Sequence, residues 1–210
     1  MSVAKRSIGT TKAKAGAATK RKKPSMYKLK VTLMDAPLPI WRRLLVRSDV
    51  TLDLLHEILQ IAMGWWNYHL HAFRASGDRH FGDLKATTDE PDMKAESKYT
   101  LADLLSAPEE EFMYEYDFGD GWQHRVVLEQ IITTDDLVLA ACIAGKRACP
   151  PEDVGGVYGY ANFLEKVEDP ENEEGLDLLE WAGGDFDADS FDMRTVNLRL
   201  VQLQNVLAGE

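Results

Sequence analysis

Tyr114-Glu115-Tyr116-Asp117-Phe118-Gly119-Asp120-Gly121-Trp122-Gln123-His124-Arg125 is the stretch whose reading decides the fold. Aromatic residues recur at every second position (Phe112, Tyr114, Tyr116, Phe118), the period of a strand with one buried face. Two glycines around Asp120 then supply a turn, and an apolar run follows, so the stretch reads as a β-hairpin. A three-residue loop, Gly119 to Gly121 with Gly121 left-handed, pairs Phe118 with Trp122, Tyr116 with His124 and Tyr114 with Val126, and sets Glu115 opposite Arg125. A two-residue Asp120-Gly121 turn puts Asp117 opposite His124 and mixes charge into the aromatic face, so burial favours the longer loop.

Upstream, Tyr27, Leu29, Val31 and Leu33 alternate with polar residues as a strand. Pro37 and Pro39 break it, and Ile40 to Val46 returns as the second arm of a first hairpin, with Arg42 and Arg43 on opposite faces. Thr51 is the expected N-cap of a helix whose core stripe is Leu52, Leu55, Ile58, Leu59 and Ala62, stopped by Gly64. His56 sits beside that stripe, where a bond to a backbone carbonyl is expected, and Gln60 is one turn further on. Trp65, Trp66 and Tyr68 lead into a strand at His69 to Phe73, on which His69 and His71 share a face. Residues 77 to 98 read as a long polar loop, and Thr100 with Asp103 caps a short helix to Ser106.

This order predicts an α+β fold, a mixed or antiparallel sheet of two hairpins plus a strand packed on one helix, reminiscent of a β-grasp arrangement. From Cys142 to Gly159, six glycines and prolines predict a loop long enough to be functional, followed by a helix over 160–167. Residues 169 to 192 hold ten acidic residues and no basic one. Asp185-Phe-Asp187-Ala-Asp189 begins like a calcium loop, but Ser190 and Val196 occupy the required glycine and glutamate positions, so that reading fails. A last helix over Met193 to Leu207 should dock Val196, Leu200, Leu203 and Leu207 on the core. The chain thus divides into a basic, disordered tail at 1–24 and a single domain at 25–210 with a helical extension from about 160.

At 210 residues and 45% hydrophobic content the chain can bury a full core. It has no run of about 18 apolar residues, so no membrane span is expected, nor a secretory signal, and a cytoplasmic location follows. Cys142 and Cys149 are read as reduced thiols. The net charge of −11 conceals a division: the first 24 residues carry eight Lys or Arg and no acid, leaving the remainder at −19. Such a body repels nucleic acid, which only the tail would attract.

Tyr116-Asp-Phe-Gly-Asp-Gly-Trp-Gln-His124, Cys149-Pro-Pro-Glu-Asp-Val-Gly-Gly156, Trp41-Arg42-Arg43, Leu55-His56, Gln60, Gly64-Trp65 and His69-Leu-His-Ala-Phe73 together resemble the plasmid pRiA4b ORF-3-like family across about residues 26 to 200. The resemblance implies a soluble protein, associated with mobile elements, of unsettled biochemical role. Some relatives carry a resolvase-like label, yet no nucleophilic serine with an arginine cluster is recognisable here.

Phosphate-loop, His-Glu-x-x-His and nucleophile-elbow signatures are absent. Two readings remain. In the first, a non-catalytic binding module uses Trp41, Trp65, Trp66, Tyr116 and Trp122 for a core and one exposed groove, and its acidic surface recruits a basic protein partner. In the second, a metal-dependent hydrolase of phosphoesters draws on His56, His69, His71, Asp117, Asp120, Trp122, His124, Glu152 and Asp153, with a divalent metal as cofactor. The three-residue loop places His124 and Asp117 on opposite faces, which favours the module.

Overall fold

A computed structural model describes residues 24–85, 92–169 and 171–209; most of the basic tail lies outside the described residues. Alternation in β1 (Met26–Leu33) and β2 (Trp41–Arg47) turns Leu29, Val31, Leu44 and Val46 inward with no exposed surface. The pair closes through Leu33 N–H to Ile40 O at 3.0 Å. As the alternation requires, Arg42 points in and Arg43 out, where Arg43 forks onto Glu129 at 2.7 and 2.8 Å. Helix α1 (Leu52–Met63) covers this face with Leu52, Leu55, Ile58, Leu59 and Ala62. Gly64 ends it in the left-handed region (φ 97°), giving its N–H to Gln60 O. Thr51 occupies the N-cap position without a side-chain capping bond, and Leu52 N–H goes instead to Tyr99 O.

The central hairpin is present with its register shifted by two residues from the predicted one and a longer connecting loop. Strands β3 (His71–Ala75), β4 (Arg79–Gly82), β5 (Lys94–Ala95), β6 (Glu111–Tyr116) and β7 (Trp122–Ile132) precede the turn to β8 (Ala140–Lys146). Tyr116 faces Trp122, Tyr114 faces His124 and Glu115 faces Gln123. The reason lies in Asp117, which takes a left-handed φ of 54° and accepts Gly119 N–H on Oδ1 at 2.9 Å. Gly121 closes the turn with N–H to Asp117 O and the positive φ expected of it, 69°. The loop is therefore five residues, and Phe118, expected to pair with Trp122, is exposed. A slip of two preserves the face of every side chain, so the aromatic surface of the hairpin is the predicted one.

The sheet runs β5-β4-β3-β6-β7-β1-β2-β8, antiparallel except where β5 meets β4. Two edges were expected as loop. The 77–98 segment yields β4 and β5, and the glycine-rich 142–159 segment yields β8 before its loop begins. These strands are short or small-residued, and pairing with β3 and β2 rather than local propensity makes them strands. Helix α2 (Leu101–Leu104) carries the predicted Thr100–Asp103 capping box.

Helices α3 (Gly156–Val167), α4 (Glu173–Trp181) and α5 (Met193–Ala208) form the predicted helical C-terminal region. Helix α4 arises inside the acidic run, whose Glu173 and Glu174 sit at the helix N-terminus, where the dipole favours negative charge. Val196 and Leu200 of α5 are buried and Leu203 half-buried, but Leu207 is 57% exposed because the helix outruns the sheet. Asn197 clasps Cys142 in β8 through N–H to Oδ1 at 2.8 Å and Nδ2 to O at 2.9 Å. Among the described residues, no helix is long and apolar enough to cross a membrane.

Candidate functional site

Three segments meet beside the central hairpin: residues 64–70 between α1 and β3, the Asp117–Gly121 turn, and the 147–155 loop. The first is pinned residue by residue. Trp65 Nε1 donates to Pro150 O at 3.0 Å, Trp66 N–H to Glu152 Oε1 at 2.8 Å, and Tyr68 N–H to the Tyr116 hydroxyl at 3.1 Å. Tyr116 in turn donates towards the Glu152 carboxylate at 3.1 and 3.2 Å. Burial, reinforced by that carboxylate, holds the Tyr116 phenol well above its ordinary pKa. Asp120 ties turn to loop by accepting Gly155 N–H at 3.1 Å, and so holds the site together instead of lining it. The approach is close enough that a Cβ on Gly156, at φ 67°, would stand 2.4 Å from Asp120 O.

His69 comes out of this framework facing carboxylates. Its Nε2 lies 3.7 Å from Asp117 Oδ2, 4.0 Å from Glu152 Oε2 and 3.1 Å from Asp153 Oδ1. The Asp153 oxygen falls off the ring nitrogen's bonding direction, so Nε2 is buried without a hydrogen-bond partner. Asp117 and Glu152 are nearly buried, whereas Asp153 is 65% exposed.

The other sequence candidates are elsewhere. His71 opens β3 while His69 stays in the connection before it, and although both border one small concavity they meet different partners. His71 Nε2 meets Glu96 Oε2 at 2.7 Å, and its ring stacks on His56 with centroids 3.5 Å apart. His56 is bonded not to a backbone carbonyl but to side chains, Tyr114 Oη at 2.7 Å and Asn67 Oδ1 at 2.7 Å. Asn67 Nδ2 donates to Glu57, so its Oδ1 accepts; His56 must then carry its proton on Nε2 and accept the Tyr114 hydroxyl on Nδ1. Gln60 completes the network, donating to Tyr114 Oη at 3.0 Å and accepting Asn67 N–H at 3.0 Å. Burial, then the neighbouring His71, lowers the His56 pKa to about 3. His124 is fully buried against Tyr114 O at 3.2 Å, with its pKa lowered to about 4 by burial. Trp122 is core, packed beside Trp65.

A cleft of about 540 Å³ runs from Glu152 and Asp153 between the 64–68 segment and α4. Trp66, Tyr68 and Trp181 line it with half or more of their surface exposed. Sequence reading missed Trp181, since nothing in the acidic run signalled a helix to carry it. Arg42 forms part of the wall and is buried without a carboxylate: it donates to Ala62 O, Trp41 O and Lys146 O at 2.8 to 2.9 Å and to Cys149 Sγ at 3.3 Å, under the Phe191 ring. It thus clamps the end of α1 to β2, β8 and the loop. Burial pushes the Cys149 thiol up to about 11, so it is an inert neighbour.

Similarity to known proteins extends over most of the chain. The uncharacterised protein y4hQ of Sinorhizobium fredii is 36% identical over 174 residues, covering 82% of this chain and 89% of its own. The crystal structure of a protein of unknown function from Methanosarcina mazei Go1, MM3350, superposes with a TM-score of 0.72 at 36% identity, covering 82% of this chain and 98% of the other. Residues 25–195, which include the pinned 64–70 segment, the turn and the loop, match the sequence profile of the plasmid pRiA4b ORF-3-like proteins, and the chain belongs to that family.

Proposed function

We propose that the protein is a non-catalytic binding module whose cleft takes an apolar side chain from a basic partner protein. One observation carries the reading: Trp66, Tyr68 and Trp181 converge, largely exposed, on a single cleft of about 540 Å³. Large rings standing in water around a concavity are the side chains that supply binding energy when covered. The partner's charge follows from the −19 carried outside the first 24 residues, which steers cations to the surface. A peptide alternating Lys and Phe, titrated against the full chain by calorimetry, should bind, and its Glu-Phe counterpart should not. Trp66→Ala and Trp181→Ala should each weaken binding by about tenfold, the effect of losing a central aromatic contact. Equal binding of both peptides, or indifference to both substitutions, contradicts the proposal.

The convergence of His69, Asp117 and Asp153 supports a second reading, metal-dependent phosphoester hydrolysis. It ranks second because three carboxylates leave the site net negative towards an anionic substrate even with a doubly charged ion in place. Turnover of p-nitrophenyl phosphate with added Mn²⁺, abolished by Asp117→Asn, would promote it over the first.

A further inference from the structure

We propose that His69, Asp117 and Asp153, with Glu152 beside them, bind one divalent transition-metal ion, Mn²⁺ or Zn²⁺. Ligand atoms of the first three lie within 4.8 Å of one another. Movements of about 1 Å, chiefly of the exposed Asp153, bring them onto a shell with bonds of about 2.0 to 2.2 Å. The imidazole supplies the second and independent argument. His69 Nε2 is buried and unpartnered, although Asp153 Oδ1 stands 3.1 Å away, because that oxygen lies off the nitrogen's bonding direction. Buried polar atoms ordinarily have partners, and an ion on that direction satisfies this one.

The supporting groups are already fixed in the manner of a metal centre. Asp117 spends Oδ1 on Gly119 N–H at 2.9 Å and turns Oδ2 to the site, while Tyr116 orients Glu152. Doubly charged, the ion also offsets the repulsion among three carboxylates around one histidine. One imidazole nitrogen with carboxylate oxygens suits Mn²⁺ and Zn²⁺ better than Ca²⁺, which takes six to eight oxygens. On the exposed side of Asp153 the ion would keep a water. Bound there, it would cross-link the three segments that meet beside the hairpin, two of which line the cleft.

The test is calorimetry on the metal-stripped full chain with MnCl2 and ZnCl2, and with CaCl2 and MgCl2 for comparison. One equivalent of Mn²⁺ or Zn²⁺ should bind at least about tenfold tighter than Ca²⁺ or Mg²⁺. His69→Ala and Asp153→Asn should each weaken it by about tenfold or more, and His71→Ala should not. Asp153 is exposed and Asn tolerates its left-handed backbone (φ 58°), so that variant remains folded and is decisive by itself. Absence of stoichiometric binding, or binding unchanged by Asp153→Asn, overturns the inference. Peptide binding measured on the same variants would show whether the cleft reading survives that outcome.

Discussion

At the scale of single residues, the site and the core divide the five histidines by what surrounds them. His56 and His124 are buried and neutral, with pKa values lowered to about 3 and about 4 from an ordinary 6.5. Because both are depressed in the folded state, the unfolded chain binds more protons between pH 6.5 and those values. Their stabilising contribution is therefore complete above pH 6.5 and lost as pH falls towards 4. Urea midpoints should drop between pH 7 and pH 5 by the equivalent of about 2 kcal/mol per histidine, and a flat profile would contradict the neutral assignment. Tyr114→Phe tests the same network, since it leaves His56 Nδ1 and Gln60 Nε2 without their buried partner. The expected loss is about 1 to 3 kcal/mol in urea unfolding. Neither effect should alter peptide binding in the cleft.

At the scale of elements, the five-residue turn and the 147–155 loop behave as one unit joined at Asp120 and Gly156. Gly156→Ala should cost about 3 kcal/mol or more, because a positive φ coincides with a clash against backbone. Gly121→Ala meets nothing within 4 Å and should cost only its dihedral strain, about 1 to 2 kcal/mol. Comparing the two by thermal unfolding separates contact from conformation. What the sequence made legible tracks local physics. The alternation of β1, the stripe of α1, its stop at Gly64 and the buried face of the hairpin all follow from periodicity and survive a register slip of two. Asp117 was legible as a candidate ligand but not as the turn's own hydrogen-bond acceptor, which is why the loop length was misjudged. Strands β4, β5 and β8 and helix α4 were not legible, since their sequences become structured only by pairing with, or covering, elements distant in the chain. Alternation alone starts β3 at His69, two residues early, and so groups His69 with His71; in the structure Glu152 and Asp153 stand by His69, His71 meets Glu96, and His124 and Trp122 lie in the core.

For the whole molecule, charge is segregated along the chain and sets what it can approach. Residues 1 to 24 are so poor in large apolar side chains that removing them should leave the melting temperature nearly unchanged. Any salt-sensitive binding of nucleic acid should disappear with them, and tight, salt-insensitive DNA binding by the shortened chain would refute the division. The remainder brings the 64–68 segment, the 148–153 stretch and the end of α4 to one cleft, and that convergence is the central claim about function. The indole N–H signals of the five tryptophans report on it directly in a nitrogen-15 correlation spectrum of the full chain titrated with the Lys-Phe peptide. Trp66 and Trp181 should shift most, Trp65 less because its indole is held by Pro150 O, and Trp41, on the far side of the sheet, least. Shifts confined to Trp41, or an unchanged spectrum at saturating peptide, would contradict the account.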